Sequence, residues 1–247
     1  GIHAAMMAHP APWDVAEWPI VAATFFEVQY QGKAAHASGF PDLGINAADA
    51  LTVAQTAIGL LRQHIRTTDR VHGIITKGGD AFNIIPALTS AEYAVRARTL
   101  GDLNDVYQKV LRCFEAGALA TGATLRVDGG EKPFAHVEHD HEMAMLYQRN
   151  AEALGRKFPA PGEPSPATPV STDMGNVSLA LPSIHPAIGI ASLPAVNHQP
   201  EFAAASITPA ADQAVYDGAL ALAWTAIDMA LTPGVRKRLL GGVSSEQ

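Results

Sequence analysis

Apolar positions recur along the first half of the chain with spacings that predict alternating strands and helices. Residues 21–31 are rich in β-branched and aromatic types and predict a strand. Residues 45–66 predict a helix, because one apolar face repeats with 4-3-4 spacing at Ala54, Ile58, Leu61 and Ile65. A second strand is predicted at 71–76, and a third from the alternation of Ala91, Tyr93, Val95 and Ala97 after a Gly78-Gly79-Asp80 turn.

A second helix and a fourth strand complete this pattern. Asp102 is the predicted N-cap, the helix ends near Thr121-Gly122, and its inner face is made of Leu103, Val106, Val110 and Phe114. Residues 124–128 predict the last strand. The order β-α-β-β-α-β matches a split βαβ (ferredoxin-like) sandwich of about a hundred residues, which is one domain by itself.

The second half of the chain has a different character. A helix predicted at 141–154 runs into the Pro-rich stretch Phe158–Pro166, which no regular element tolerates. Short apolar pieces with turns occupy 171–207. Thr208 then provides an N-cap and Pro209 a first helical residue for a long Ala-rich helix that ends near Leu231. This half therefore also predicts an α/β arrangement.

Composition excludes several classes of protein. The 247 residues carry 17 Lys plus Arg against 24 Asp plus Glu, a net charge of −7, which argues against a nucleic-acid partner. At 48% hydrophobic and 17% charged residues, the chain is apolar enough for a sizeable core. No run of about 18 apolar residues and no signal peptide is apparent, so we expect a cytoplasmic protein without membrane contact. Cys113, the single cysteine, is predicted to be a buried thiol.

Ten histidines stand out, and several lie in loops bounded by glycine or proline, where catalytic and metal-binding groups are common. The sequence contains no helical zinc motif, no paired Cys-x-x-Cys, no nucleophile elbow and no phosphate-binding loop. His139 and His141 flank Asp140 in a polar run, which we interpret as a solvated helix start. The histidines alone therefore do not define a site.

Six phrases, taken in order, carry a specific resemblance: Met6-Met7-Ala8-His9-Pro10, Gly32-Lys33-Ala34-Ala35-His36-Ala37, Gly78-Gly79-Asp80-Ala81-Phe82-Asn83-Ile84-Ile85-Pro86, Ala94-Val95-Arg96, Ser171-Thr172-Asp173-Met174-Gly175-Asn176 and Asn197-His198-Gln199-Pro200-Glu201-Phe202. Over essentially its whole length the chain resembles the metallopeptidase and amidohydrolase family of aminoacylases, carboxypeptidase G and indole-acetyl-amino-acid hydrolases. Its branch of dipeptidases and aminobenzoyl-glutamate hydrolases is the most similar.

The resemblance implies an α/β catalytic domain that holds two metal ions and is interrupted by a split-βαβ domain acting as lid and dimer interface. The lid would be residues 24–130, and residues 1–23 and 131–247 would belong to the catalytic domain. His9 and His198 fall at two metal-ligand positions, where imidazole suits zinc, manganese or cobalt. The alternative for each is an uncommitted loop histidine.

The resemblance also assigns four residues to catalysis or substrate binding. His36 would reach across a homodimer to hydrogen-bond the scissile carbonyl in the partner's site, although a turn histidine at a strand end is equally compatible with the bare sequence. Asn83 and Arg96 would hold the substrate carboxylate, or else be a turn residue and a surface strand residue. Asp173 would also bind substrate, but Ser-Thr-Asp before Met-Gly is ordinary Asx-turn chemistry as well.

One departure from the family changes the expected activity. The family's His-x-Asp and Glu-Glu pairs precede the Met-Met-Ala-His-Pro phrase, and this sequence begins at Gly1, after them. We therefore expect the C-terminal part of a longer enzyme, truncated at the N-terminal side of its catalytic sheet with apolar surface exposed there, and inactive by itself. The parent would hydrolyse the amide bond of a dipeptide or an N-acyl amino acid. The alternative is a non-catalytic dimerisation or binding module without a complete metal site.

Overall fold

The computed structural model describes residues 1–159 and 169–241, which divide into two units. We call residues 21–136 the sheet unit, and residues 1–20 together with the described residues from 137 onward the helical unit. Most of the predicted Pro-rich loop at Phe158–Pro166 lies outside the described residues.

Strands and helices occur in both units. The strands are β1 (Ala5–Met6), β2 (His9–Ala11), β3 (Ala22–Gln31), β4 (Arg70–Lys77), β5 (Leu88–Ala97), β6 (Thr124–Gly129), β7 (Ser183–Ile184) and β8 (Ala187–Gly189). The helices are α1 (Ala47–Leu61), α2 (Leu100–Thr121), α3 (His141–Ala153), α4 (Met174–Ser178), α5 (Pro200–Ala205), α6 (Pro209–Leu231) and α7 (Pro233–Gly241).

The sheet unit is built on a four-stranded sheet with the order β4-β5-β3-β6, in which every neighbouring pair is antiparallel. Side chains of β3 alternate between two faces. Phe26, Val28 and Tyr30 are buried and share one hydrophobic core with α1 and α2, whereas Phe25 on the opposite face is exposed. Both helices therefore cover the same face of the sheet.

Helix α1 is shorter than the predicted 45–66. The Asn46 side chain accepts a hydrogen bond from the Ala48 backbone N–H at 2.9 Å and caps the helix, which ends at Leu61. The two helices approach closely at Gly117 of α2, where a Cβ atom would lie 2.3 Å from the Ala50 carbonyl oxygen. This close approach requires glycine.

The N-cap of α2 is a correction to the sequence analysis. Thr99, and not Asp102, caps the helix: the backbone N–H of Asp102 donates to Thr99 Oγ1 at 3.2 Å. Thr99 has extended backbone dihedrals, as an N-cap does, and Asp102 follows in the first turn, where a carboxylate is favoured by the helix dipole. The predicted end is correct, since Gly122 adopts the left-handed conformation with φ +77°.

The helical unit contains two short parallel strand pairs, β1 with β7 and β2 with β8, packed with α3 to α7. Helix α3 begins after Asp140, whose Oδ1 accepts from the Met143 backbone N–H at 3.0 Å. Helix α6 has the predicted Thr208 cap and Pro209 start. Strands β1 and β2 were not predicted from the sequence, because they have only two and three residues. Helix α7 was not predicted either.

A buried ion network connects three parts of the helical unit. Arg156 donates to Asp14 Oδ1 at 2.9 Å, to Asp217 Oδ2 at 3.4 Å and to the Gly189 carbonyl oxygen. Asp14 Oδ1 also accepts from the Gly189 backbone N–H at 2.8 Å. The network thus joins the segment after β2 to β8 and to α6.

Helix α6 changes the expectation that no stretch of the chain could cross a membrane. Among the described residues, α6 alone is long and apolar enough to do so by length and composition, and 33% of its most apolar stretch is buried. The expectation of no such stretch was therefore too strong. Core helices of globular proteins meet the same criterion, and Asp217 within α6 is bound by Arg156.

The mixed α/β class is confirmed, and Cys113 is a buried free thiol as expected. The role of residues 24–130 as a lid, the catalytic assignment of 1–23 and 131–247, and the truncated catalytic sheet stay predictions.

Candidate functional site

His9 is the first residue of β2 and is exposed to solvent. Its backbone N–H donates to the Pro186 carbonyl oxygen at 2.9 Å, and its Nδ1 lies 2.8 Å from the Pro10 carbonyl oxygen. Because a carbonyl only accepts, Nδ1 carries the proton and Nε2 keeps its lone pair. A histidine that ligates a metal has this arrangement, with one ring nitrogen held by a carbonyl and the other available.

His198 lies in the turn that precedes α5, and its backbone is in the left-handed region with φ +70°. This conformation is uncommon for a residue with a Cβ and is maintained by the surrounding turn. Asn197 Nδ2 donates to the Pro10 carbonyl oxygen at 3.5 Å, and Gln199 Oε1 accepts from the Val196 backbone N–H at 3.0 Å. The structure therefore brings the turn of His198 next to the strand end that carries His9.

Asp173 is exposed at the start of the five-residue helix α4. Its carboxylate accepts a hydrogen bond from Thr172 Oγ1 at 3.3 Å and does not cap the helix. The carboxylate of Asp173 thus remains available to a ligand.

His185, which no sequence pattern indicated, lies between β7 and β8 and is only 1% exposed. Its ring donates to the Met7 backbone and is parallel to the Trp18 ring, with 6.4 Å between centroids and a 3° interplanar angle. The His9 ring meets it at 5.8 Å and 65°. Burial, and then the neighbouring His9, lower the pKa of His185 to about 4, so that its imidazole is neutral at pH 7.

His139 is a correction to the interpretation of a solvated helix start. Its Nε2 lies 2.8 Å from the Trp18 carbonyl oxygen, and its Nδ1 is buried. Only His141 is solvated, where it pairs with Glu17 at 2.9 Å. Periodicity could not separate the two, because the difference depends on a contact 121 residues away in the chain.

These side chains do not close a metal site by themselves. Within residues 1–159 and 169–241, no group of three or more His, Cys, Asp or Glu side chains is arranged to hold a metal ion. Two neutral imidazoles do not balance the charge of two divalent ions. The assignment of His9 and His198 as metal ligands therefore stays a prediction.

In the sheet unit, the structure brings His36 and Asn83 together. The Ala37 backbone N–H donates to the Asn83 carbonyl oxygen at 3.0 Å, and His36 forms an isolated bridge with Ile84. The Gly39 backbone N–H donates to His36 Nδ1 at 3.0 Å. Since Nδ1 accepts, the neutral ring carries its proton on Nε2, and this N–H is the donor that a carbonyl oxygen would need.

Arg96 lies near the end of β5, on the open face of the sheet. Its guanidinium is 5.8 Å from the centroid of the Phe25 ring, and its Nε donates to His72 Nε2 at 3.3 Å. Burial lowers the pKa of Arg96, and burial followed by the charge of Arg96 lowers the pKa of His72. His72 thus accepts as a neutral ring, and the other guanidinium N–H groups can bind an anion.

The structure separates Arg96 from Asn83 within one chain. Asn83 precedes the first residue of β5, whereas Arg96 is the ninth of its ten residues. From Leu88 to Arg96 the strand advances eight residues, which corresponds to about 26 Å of extended chain. One chain therefore cannot place both side chains on the same carboxylate.

Comparisons with known proteins identify the relatives of this chain. Residues 22–121 match the family described as "Peptidase dimerisation domain". The Xaa-Arg dipeptidase of Mus musculus is 38% identical over 98% of this chain, which spans 57% of that protein. A p-aminobenzoyl-glutamate hydrolase chain of Escherichia coli is 37% identical over 39% of this chain and 20% of its own length.

Among solved structures, the aminobenzoyl-glutamate utilization protein of Klebsiella pneumoniae superposes with a TM-score of 0.66 and 17% identity. The match covers 93% of this chain and 56% of that one, and it shows a shared fold.

Proposed function

This chain belongs to the M20 family of metallopeptidases, and we propose that it supplies substrate-binding and dimerisation parts of an amidohydrolase. The substrate would be a dipeptide or an N-acyl amino acid, cleaved at the amide bond to the amino acid. The names of the relatives support this class, since one is a dipeptidase and another a hydrolase of an aroyl amino acid.

Arg96 would bind the carboxylate of the substrate. A guanidinium presents parallel N–H donors that match a carboxylate, and the Phe25 ring beneath it holds the guanidinium plane in place. His72 accepts a hydrogen bond from Nε of Arg96 and leaves the other guanidinium N–H groups available. A lysine at this position would provide neither the planar fork nor the stacking.

His36 and Asn83 would act on a substrate bound by a second copy of the chain. The separation of about 26 Å along β5 excludes their joint action with the Arg96 of the same chain. The loop that carries Asn83 projects outward, because the adjacent Phe82 is 100% exposed. His36 Nε2–H would stabilise the charge that develops on the scissile carbonyl oxygen. The separation of Asn83 from Arg96 along β5 is the observation that carries this composite arrangement.

Dimer formation would occur through the edge strand β4 or through α1. Strand β4 is at the edge of its sheet, and Ile74 and Ile75 on it are exposed, as is Leu60 on α1. An exposed apolar edge strand readily pairs with another chain. Light scattering on the purified chain should give a homodimer at micromolar concentration, and Ile74→Lys should shift it toward monomer. A monomeric wild-type chain would contradict pairing through this unit.

Two divalent metal ions, zinc, manganese or cobalt, would polarise the scissile carbonyl when bound. This chain would contribute His9 through its bare Nε2 and His198 from the adjacent turn. Asp173 would contact the substrate. The remaining ligands and the general base would come from elsewhere in the whole protein.

A non-catalytic dimerisation or binding module is the second candidate. The lack of a closed ligand set among the described residues favours it. Sequencing the coding DNA upstream of the Gly1 codon separates the two. An open frame with His-x-Asp and Glu-Glu phrases supports the enzyme, and an initiation codon at this point supports the module.

A complementation experiment on the whole open-frame product tests the composite site. Arg96→Ala and His36→Ala should each abolish dipeptide turnover. Co-expression of the two variants should restore about a quarter of wild-type activity, because half of randomly formed two-fold dimers are mixed and each contains one intact site. If activity stays absent in mixed dimers, both residues act within one chain and the composite arrangement is wrong.

A further inference from the structure

Three aromatic rings form one cluster around His9 in the helical unit. The His9 ring meets Trp18 at 5.7 Å and 68°, and His185 at 5.8 Å and 65°, while Trp18 and His185 are parallel at 6.4 Å. His9 is the exposed member, whereas Trp18 is 3% and His185 is 1% exposed. The two buried rings therefore pack against the one exposed ring.

Hydrogen bonds to backbone groups also fix the two buried residues, Trp18 and His185. His185 donates to the Met7 backbone, and His139 Nε2 bonds to the Trp18 carbonyl oxygen at 2.8 Å. The His185 ring thus has one fixed nitrogen, and its Nδ1 is buried with no hydrogen-bond partner among the described residues. A buried, unpaired acceptor of this kind costs free energy, and an apolar side chain would avoid that cost.

We propose that His185 is a positioning residue for His9, which keeps the Nδ1–H of His9 on the Pro10 carbonyl and the Nε2 of His9 directed outward. The inference rests on the proposed role of His9 as a ligand residue. The backbone N–H of His9 is already fixed on the Pro186 carbonyl oxygen, so the strand does not need the His185 ring. What the ring adds is a steric limit on rotation of the His9 imidazole. A partner that orients a ligand histidine in this way changes metal affinity without touching the metal.

The experiment reads the tautomer of His9 in the metal-free chain by long-range 1H–15N NMR, at a pH where the imidazoles are neutral. The His9 signals are assigned with His9→Gln. In the wild type the proton should reside on Nδ1. His185→Gln keeps a donor for the Met7 backbone but removes the ring, and should convert His9 to a mixture in which Nε2–H predominates. His185→Phe restores a ring without the donor and should return His9 to the Nδ1–H form.

His141→Ala is the matched control, because it removes an exposed histidine of the same unit and should leave the His9 signals unchanged. Tryptophan fluorescence confirms folding of each variant. A structural role alone would lower the melting temperature in His185→Gln without altering the tautomer. If His9 carries its proton on Nε2 in the wild type, or stays Nδ1–H in His185→Gln, the proposal is wrong.

A zinc titration of the same variants, made in the whole open-frame product that would carry the remaining ligands, separates this inference from the proposed function. Zinc binding that depends on His9 should weaken about tenfold or more in His185→Gln and recover in His185→Phe. If the tautomer behaves as expected but the wild type binds no zinc through His9, the ligand role of His9 fails and the positioning role stands.

Discussion

Replacement of Arg156 by methionine should destabilise the helical unit by about 3 kcal/mol, near the lower end of the range for a broken buried ion pair. The side chains of Arg156, Asp14 and Asp217 are only 14%, 14% and 8% exposed, so the substitution leaves two carboxylates poorly solvated. Each carboxylate keeps one donor, the Gly189 N–H for Asp14 and Gln213 Nε2 for Asp217, both at 2.8 Å. These remaining hydrogen bonds are the reason to expect the lower end of the range.

Urea unfolding followed by tryptophan fluorescence measures this effect, because Trp13, Trp18 and Trp224 all lie in the helical unit. Arg149→Met is the matched control. The Arg149 side chain is 66% exposed and its partner Asp228 is 32% exposed, so its removal should cost about 1 kcal/mol or less. If Arg156→Met and Arg149→Met unfold at the same urea concentration, the buried network does not stabilise the unit more than an exposed ion pair does.

Three further predictions concern single contacts, each measured as a free energy of unfolding. Gly117→Ala should destabilise the sheet unit by about 1–3 kcal/mol, the range typical of overpacking, because its Cβ would lie 2.3 Å from the Ala50 carbonyl oxygen. Amide hydrogen exchange in α1 and α2 follows that unit, and unchanged stability would show that the helices separate without cost. Tyr147→Phe should be neutral or stabilise by about 1 kcal/mol, because the buried Tyr147 hydroxyl has no partner within the described residues; a clear loss of stability would reveal a missed hydrogen bond. Burial alone would raise the pKa of Asp140, but hydrogen bonds from Arg238 and the backbone outweigh it and keep that pKa below its usual value. The stabilisation that the Asp140 carboxylate provides is therefore complete above its usual pKa, and it is lost as the pH falls through its lowered pKa in the folded chain. Asp140→Asn should flatten the acid limb of the stability profile, and an unchanged limb would contradict this assignment.

The sheet unit was predictable from sequence because its elements are long and each carries its own hydrophobic pattern. Alternation along β3 and the repeated apolar face of α1 are signals that each element carries by itself. The errors occurred where two residues compete for one role, as Thr99 and Asp102 do for the cap of α2. Both residue types suit an N-cap, and only the backbone conformation decides between them.

The helical unit was less predictable because its short strands are defined by partners far away in the chain. Strand β2 has three residues and exists by pairing with β8, more than 170 positions later, and no period can be read from three residues. His185 escaped notice for the same reason, since Ile184-His185-Pro186 in an apolar stretch resembles any buried turn. Its importance follows only from the rings and the carbonyl that surround it.

Sequence phrases singled out His36, Asn83 and Arg96, but they could not show that Asn83 lies beyond one end of β5 and Arg96 near the other. A phrase records which residues occur and in what order, whereas the register of β5 fixes how far apart they lie. That distance exceeds the reach of the two side chains, so a site that needs both must be completed by a second chain. Under the proposed function, the need for a second chain thus follows from strand length, whichever edge of the unit forms the contact.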